Sequence, residues 1–200
     1  GFTGNAQLHA DFNATPTSGC SPLVVNFSDQ STGNPTQWRW DLGNGTISFL
    51  QNPSATYFTP GQYTVKLVIQ KAGGIDSITK TQFITIFPQP VIEFTASPRS
   101  GCFPLPVQFT DQSTSPSGTI SQWQWDFGDG TFGNTQNPLH TYTAGGNYNI
   151  SLVVTNSHGC FRNMTKNQFI QVAQGVTADF SNNLPNSCTA PVNINFQKIG

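Results

Sequence analysis

Large apolar residues recur at every second position in several short segments, and this period predicts β-strands that bury one face. The segments YTVKLVI at 63–69 and YNISLVV at 148–154 both show the pattern. In WRWDL at 38–42 and WQWDF at 123–127, three large apolar side chains fall on one face of each strand. No segment combines helical spacing of apolar residues with helix caps, so the pattern predicts an all-β protein.

The chain repeats itself with a period of about one small domain, which is the strongest signal in the sequence. Residues 10–32 return in similar form at 92–114, and WRWDLGNGT at 38–46 returns as WQWDFGDGT at 123–131. A third copy begins with ADFSNNLPNSC at 178–188. The sequence is therefore built from head-to-tail copies of one unit.

Each copy contains about seven short strands separated by Gly, Pro and Asn, which predicts tandem immunoglobulin-like seven-strand β-sandwiches arranged end to end. We expect complete sandwiches at 8–88 and 90–174, and the first two strands of a third, incomplete copy at 176–200. An isolated hairpin is only marginally stable. Either the protein continues past Gly200, which we favour, or these strands complete the sandwich of a partner by strand addition.

Composition narrows the classes of function. Aromatic residues make up 12% of the chain, enough to build cores, while only 8% of residues are charged. The net charge of −1 and the lack of a basic run argue against nucleic acid as a partner. No apolar stretch approaches the ~20 residues that span a bilayer, so we expect no membrane insertion.

Two segments of the chain resemble a known family. Residues 123–154 contain W-x-W-D-F-G-D-G-T, N-P-x-H-x-Y and G-x-Y-x-I-x-L-x-V, and this pattern resembles the signature of PKD (polycystic kidney disease) domains. Residues 38–69 resemble it with three departures, at Leu42, Asn44 and Ala55. The resemblance implies structural roles for Trp40, Asp41, Gly43, Gly45, Tyr63, Trp125, Asp126, Gly128, Asp129, Gly130, His140 and Tyr148.

The G-C-x-P element at 19–22 and 101–104 is similar to tandem PKD repeats in large cell-surface proteins of gliding bacteria. This resemblance implies an extracellular, non-enzymatic stalk, adhesin or filament segment at the cell surface or secreted. Its partners would be neighbouring repeats of the same protein, further copies of itself, or a surface polysaccharide or protein. The alternative is an accessory spacer or substrate-binding region of a secreted hydrolase, because PKD-like modules are often attached to such enzymes.

The carboxylates that follow the tryptophan strands offer one candidate metal site. Asp126 and Asp129, with Asp41 and Asn44 in the first copy, could hold calcium. A calcium ion takes six to eight oxygen ligands, whereas this turn offers two carboxylates at most. We therefore expect the aspartates to cap the turn through backbone N–H groups, and we expect no cofactor.

His140 invites a catalytic interpretation because it lies beside Tyr142. Its counterpart in the first copy is Ala55, and no nucleophile or base motif accompanies it. We expect instead a histidine bonded to nearby backbone. Tyr63 and Tyr148, which open strands just after a glycine, have the position of corner tyrosines.

The paired tryptophans have two interpretations. Exposed indoles could stack on sugar rings, whereas buried ones would form the centre of each sandwich. Full burial of a tryptophan stabilises a fold by a few kcal/mol. We therefore expect Trp40 and Trp125 to lie in the two cores.

The cysteines pose a pairing problem. Cys20, Cys102 and Cys188 occupy the connection between the first two strands of their copies, whereas Cys160 lies between the last two strands. Within one antiparallel sandwich these connections lie at opposite ends, about 20–26 Å apart at ~3.3 Å per residue. A disulfide needs Cα atoms within about 7 Å.

In a head-to-tail array, the last connection of one domain faces the first connection of the domain before it. This predicts a disulfide between Cys20 and Cys160, leaving Cys102 and Cys188 for later domains. Such a bridge, beside a linker that contains Pro88 and Pro90, would stiffen the junction between domains.

Overall fold

The structure is a computed structural model that describes residues 7–174, and it is all-β. Two compact units are present. The first unit contains the described residues up to Gln89 together with the segments Ser115–Thr119 and Asn156–Cys160. The second unit contains the rest of the described chain. The predicted third copy at 176–200 lies outside the described residues. Within 7–174, no helix is long and apolar enough to cross a membrane.

The first copy has two sheets. The three-stranded sheet has the order β1-β3-β6, and the five-stranded sheet has the order β2-β8-β7-β4-β5. Their strands are β1 (Phe12–Thr15), β2 (Ser18–Cys20), β3 (Leu23–Asp29), β4 (Gln37–Asp41), β5 (Ile47–Ser48), β6 (Ser54–Tyr57), β7 (Gly61–Lys71) and β8 (Gly74–Phe87).

The second copy repeats this topology. Its three-stranded sheet has the order β9-β11-β14, and its five-stranded sheet has the order β10-β16-β15-β12-β13. The strands are β9 (Phe94–Ser97), β10 (Ser100–Cys102), β11 (Leu105–Asp111), β12 (Ile120–Asp126), β13 (Phe132–Gly133), β14 (Leu139–Tyr142), β15 (Gly146–Asn156) and β16 (Phe161–Ala173).

The first strand of each sandwich is divided between the two sheets. In the first copy, β1 pairs antiparallel with β3, whereas β2 pairs parallel with β8. Pro16 lies between β1 and β2 and has no N–H group with which to continue a ladder. Pro98 occupies the same place between β9 and β10. With each divided strand counted once, both copies have the predicted seven strands.

Each sandwich encloses an apolar core with a tryptophan at its centre. Trp40 is fully buried and meets Phe12 edge to face, with 5.2 Å between ring centroids. Trp125 meets Phe94 at the same distance and is also buried. The alternating positions predicted for β7 and β15 are buried as well: Val65, Leu67, Ile69, Ile150, Leu152 and Val154. The period-two pattern therefore marked the core faces correctly.

A lysine ties the last strand of each sandwich to the residues around its first strand. Lys80 Nζ lies 3.0 Å from Asp11 Oδ1 and sits over the rings of Phe12 and Phe83, 4.6 Å and 5.3 Å from their centroids. Lys166 makes the equivalent contacts in the second copy. These ammonium groups combine an ion pair with cation–π contacts, and the sequence analysis did not identify them.

Candidate functional site

The turn after each tryptophan strand contains the aspartate and glycine residues of the repeated motif. Asp41 Oδ1 accepts a hydrogen bond from Gly43 N at 3.0 Å, and Asp126 Oδ1 accepts one from Gly128 N at 2.9 Å. Both glycines have a positive φ, and a Cβ on either would lie 2.3 Å from a backbone oxygen of the neighbouring strand. Only glycine fits at these two positions. The aspartates therefore hold the backbone of their own turns.

The second half of the turn differs between the copies at one side chain. Gly45 and Gly130 both have a positive φ and open space around them. In the first copy, Asn44 Oδ1 accepts from Thr46 N at 3.0 Å, and Asn44 Nδ2 donates to the backbone oxygen of Thr56 at 3.2 Å. The amide thus supplies both an acceptor and a donor.

In the second copy, an aspartate and a histidine take over this role. His140 Nε2 lies 2.7 Å from Asp129 Oδ2, and Thr131 donates to Asp129 Oδ1 from its backbone N at 3.0 Å and from Oγ1 at 2.6 Å. Burial raises the pKa of Asp129, but the hydrogen bonds from Thr131 and His140 outweigh it and bring this pKa below its ordinary value of 3.8.

The predicted bond between His140 and nearby backbone is wrong. The imidazole stacks on the ring of Phe127, with 4.2 Å between centroids and 2° between planes, and meets the edge of Tyr142 at 4.7 Å. This stacking directs Nε2 toward the carboxylate of Asp129. In the first copy Ala55 stands in place of the histidine, and the amide of Asn44 reaches the backbone instead.

The order of these groups does not suit nucleophilic catalysis. A catalytic relay needs a hydroxyl bonded to an imidazole, which is in turn bonded to a carboxylate. Here the carboxylate of Asp129 lies in the middle and accepts from both Thr131 Oγ1 and His140. The imidazole has no contact through which it could take the proton of Thr131.

A calcium ion at this turn would have to compete for oxygen atoms that already accept hydrogen bonds. Oδ1 of Asp126 and both carboxylate oxygens of Asp129 already accept hydrogen bonds within the turn or from His140. Over residues 7–174, no group of three or more His, Cys, Asp or Glu side chains is placed to hold a metal ion. The geometry accounts for both aspartates through the turn itself.

Tryptophan burial leaves no indole face of the two central residues for a sugar ring. Trp40 and Trp125 are buried, and each indole N–H donates to a backbone oxygen, of Leu50 at 2.9 Å and of Thr135 at 3.0 Å. These contacts satisfy the polar edge of each ring inside the core.

The other two tryptophans are partly buried and bonded to carboxylates. Trp38 Nε1 donates to Asp29 Oδ2 at 2.7 Å, and Trp123 Nε1 donates to Asp111 Oδ2 at 2.7 Å. Trp38 also lines a shallow groove of about 570 Å³ on the first sandwich, together with residues that include the exposed Phe49. Neither carboxylate was predicted from the sequence.

Tyrosines bond to backbone in both sandwiches. The hydroxyl of Tyr63 donates to the oxygen of Thr59 at 2.5 Å, and that of Tyr148 donates to the oxygen of Ala144 at 2.8 Å. Both acceptors lie four residues upstream, which is the bond of a tyrosine corner.

Two further tyrosines, for which no role was predicted, are fully buried. Tyr57 donates to the oxygen of Leu42 at 2.6 Å, and Tyr142 donates to that of Phe127 at 3.0 Å. Burial raises the pKa of both hydroxyls well above the ordinary value. They therefore stay neutral and anchor the turn that follows each tryptophan strand.

Cys20 and Cys160 form a disulfide, with 5.4 Å between their Cα atoms, which confirms the predicted pair. Cys20 ends β2, and Cys160 immediately precedes β16. Cys102 is disulfide-bonded within this chain as well, so the expectation that it is left for a later domain is wrong. The role expected for Cys188 falls outside the described residues. The bridge joins residues of the first and second copies of the sequence.

The loop that carries Cys160 is organised by Asn156, which is 2% exposed. Its Oδ1 accepts from the backbone N of His158 at 3.0 Å and of Cys160 at 2.9 Å, while its Nδ2 donates to Ser115 and Ser117 at 3.2 Å. A buried amide satisfied in this way fixes the backbone around the cysteine.

The ring of His158 stacks on Phe87, with 3.9 Å between centroids and 6° between planes. Phe87 is the register partner of Cys20 on β8. Asn156, His158 and Phe87 were missed by the sequence analysis because single polar and aromatic residues in a loop do not show what they contact.

A model of the PKD domain matches residues 6–86 and 88–172, which together cover most of the chain. The chain belongs to the PKD domain family. A microbial collagenase of Vibrio alginolyticus is 35% identical over 79 residues, which cover 40% of this chain and 9% of that protein. The pre-pro-metalloprotease PrtV of Vibrio cholerae serotype O1 is 26% identical over 152 residues, or 74% of this chain and 16% of that protein.

Among solved structures, the PKD1 domain of Vibrio anguillarum Epp is 28% identical, with a TM-score of 0.37; the match covers 42% of this chain and 96% of that domain. The chain thus spans a small fraction of the curated relatives it matches and nearly all of an isolated PKD domain.

The predicted signature residues of the two PKD domains fall into three groups. Trp40 and Trp125 lie in the cores, and Tyr63 and Tyr148 lie near the starts of the long strands β7 and β15. The Asp and Gly residues form the turn after the tryptophan strand, and His140, on β14, bonds to Asp129 of that turn. The disulfide joins Cys20 to Cys160, which lie in the two successive PKD matches of the sequence.

Proposed function

We propose that these PKD domains form a non-catalytic accessory segment of an extracellular protein, and that the protein is a secreted hydrolase. The observation that carries the proposal is the alignment with a collagenase and a metalloprotease, in which the matched part is 9% and 16% of the whole protein. In such proteins the reaction centre would lie elsewhere in the polypeptide. The segment would space that centre from its surroundings or help it to bind its substrate.

Disulfide chemistry supports an extracellular location. Cys20 and Cys160 are paired and Cys102 is disulfide-bonded. Disulfides persist in secreted proteins and are rare in the reducing cytosol.

The non-catalytic part of the proposal is supported by how the candidate residues are used. Asp126 and Asp129 accept hydrogen bonds from the backbone of their own turn, and His140 bonds to Asp129. The tryptophans bond to backbone or carboxylates. Side chains committed to the fold in this way have structural roles that account for their presence in the motif.

A second candidate is a stalk segment of a cell-surface protein, which the Cys20–Cys160 disulfide favours. Interfaces between domains of one chain are usually small and permit relative motion. The bridge between Cys20 and Cys160, which lie in the two successive copies of the sequence, would limit such motion, as a spacing element requires. Neighbouring repeats and surface polymers would then be its partners.

An antibody against residues 7–174 can separate the two candidates in cells of the source organism. The hydrolase proposal expects the antigen in the culture supernatant, in a polypeptide well above 21.6 kDa that digests gelatin or a polysaccharide in a zymogram. An antigen confined to the washed cell surface, in a polypeptide without a hydrolase domain, would refute it in favour of the stalk.

A further inference from the structure

The disulfide encloses most of both PKD domains in one covalent loop. Cys20 and Cys160 are 140 positions apart, and the loop between them contains every strand from β3 to β15. Of the described residues, only 7–19 and 161–174 lie outside it. They contain β1, most of β2, and β16.

We propose that the Cys20–Cys160 disulfide is a mechanical shortcut that keeps this loop out of the path of a pulling force. Tension applied at the two ends of a chain runs along the shortest covalent route. With the bridge formed, that route enters β2, crosses from Cys20 to Cys160 and leaves along β16. The residues between the two cysteines cannot be stretched, whether their strands stay folded or not.

The length of chain that the disulfide withholds from stretching is large compared with the length that can still be stretched. A stretched chain spans about 3.3–3.6 Å per residue, so a loop of 140 positions withholds about 480 Å of extension. The described residues outside the loop can supply only about 100 Å on the same scale. The two domains would therefore lengthen little under tension, even after their noncovalent contacts fail.

The surroundings of the bridge show that it is built into the fold. Cys20 is the register partner of Phe87, the last residue of β8, and Phe87 carries the stacked ring of His158. Asn156 fixes the backbone N–H of Cys160 at 2.9 Å. Cys20 thus lies beside the last residue of β8, and the loop of Asn156–Cys160 holds the second cysteine next to it.

The strands left in the force path are held by more than their ladders. β2 pairs parallel with β8, and β16 pairs with both β10 and β15. Lys80 and Lys166 add ion pairs to Asp11 and Glu93 near the starts of β1 and β9. These contacts must fail before even the short extension outside the loop is released.

Single-molecule stretching of the 200-residue chain tests the proposal, with handles ligated enzymatically to its two ends. Cys102 and Cys188 are replaced by Ser in every sample, so that no second bridge alters the route. We expect the fully stretched length of this chain to be about 480 Å shorter than that of the same chain carrying C20S. C160S and C20S/C160S should match C20S.

The readout is the stretched length at high force, so it does not require the serine variants to fold. Equal lengths with and without C20S would overturn the proposal, and so would a peptide map in which Cys20 and Cys160 are unpaired. The benefit to the organism rests on the proposed accessory or stalk function. The shortcut itself is tested on the isolated chain, so a wrong location of the full protein would leave this result unchanged.

Discussion

Replacing His140 by Ala should destabilise the second PKD domain and leave the first unchanged. The substitution removes the 2.7 Å bond to Asp129 and the stacking on Phe127. It also leaves the carboxylate of Asp129 with only its hydrogen bonds from Thr131, although the side chain of Asp129 is only 19% exposed. The first domain, which has Ala55 at this position, serves as an internal reference.

The magnitude follows from the two lost contacts. A hydrogen bond to a charged group contributes about 1.5–3 kcal/mol, and an aromatic pair adds about 0.5–1.5 kcal/mol. The histidine side chain is 15% exposed. Because water therefore screens the pair in part, we take the lower end of each range. The expected loss is about 2 kcal/mol.

The double variant D129N/H140A should lose only about 1 kcal/mol. It recreates the pair Asn44 and Ala55 of the first domain, in which the amide donates to the backbone at 3.2 Å. An amide at position 129 keeps an acceptor for Thr131 and needs no cation beside it. The double variant should therefore be more stable than H140A alone.

Native-state hydrogen exchange, followed by mass spectrometry on peptides of the oxidised chain, measures each domain separately. Peptides from β12 to β15 should exchange faster in H140A, and those from β4 to β7 should not change. Equal destabilisation of H140A and D129N/H140A, or an equal response of both domains, would refute the role assigned to the bond between Asp129 and His140.

Three further outcomes are expected. Gly43→Ala should cost several kcal/mol in a urea titration, because its Cβ would lie 2.3 Å from Thr64 O, whereas Gly45→Ala, in open space, should cost about 1 kcal/mol; equal costs would contradict the close approach. Burial raises the pKa of Asp29, but hydrogen bonds, including that from Trp38, lower it overall, so its stabilisation is present above the unfolded pKa near 3.8 and is lost as the pH falls through the folded value. Trp38→Phe should flatten this acid loss, and an unchanged pH profile of unfolding would count against the bond. Calcium and EDTA should leave the melting temperature unchanged; a rise with calcium that EDTA reverses would revive the metal hypothesis.

The fold could be predicted from the sequence because alternation and repetition are local signals. The period of two in 63–69 and 148–154 fixed which side chains enter the cores. The tandem copies then fixed the size of the repeating unit. Division of the first strand at Pro16 was not foreseen, since a proline inside a loop-rich segment does not show which sheet the next residues join.

Contacts between strands were harder to predict because they depend on register. Lys80 reaches Asp11 and Phe12, which are more than 60 positions away in the chain. The ladder of β7 and β8 also shifts between Tyr63 and Val65, whose partners are Ile84 and Lys80, so that β8 contains two extra residues at this point. No feature of the sequence announces this shift.

The contact between Asp129 and His140 could have been predicted from the sequence. The two copies differ at both positions together: Asn44 goes with Ala55, and Asp129 goes with His140. A joint change of this kind indicates contact, because a histidine without the carboxylate, or a carboxylate without the histidine, would leave a polar group poorly paired. Each position was instead compared with its counterpart alone.

The disulfide was predicted although it joins residues 140 positions apart, because its pairing depends on topology and not on side-chain detail. In an alternating sandwich, the parity of a connection decides at which end it lies, whatever the register of the strands. Parity excluded a bridge within one copy and left Cys20 with Cys160. The mechanical proposal also does not depend on side-chain detail. The length of chain withheld from a pulling force is set by which cysteines are joined, and no change of packing in either domain can alter that length.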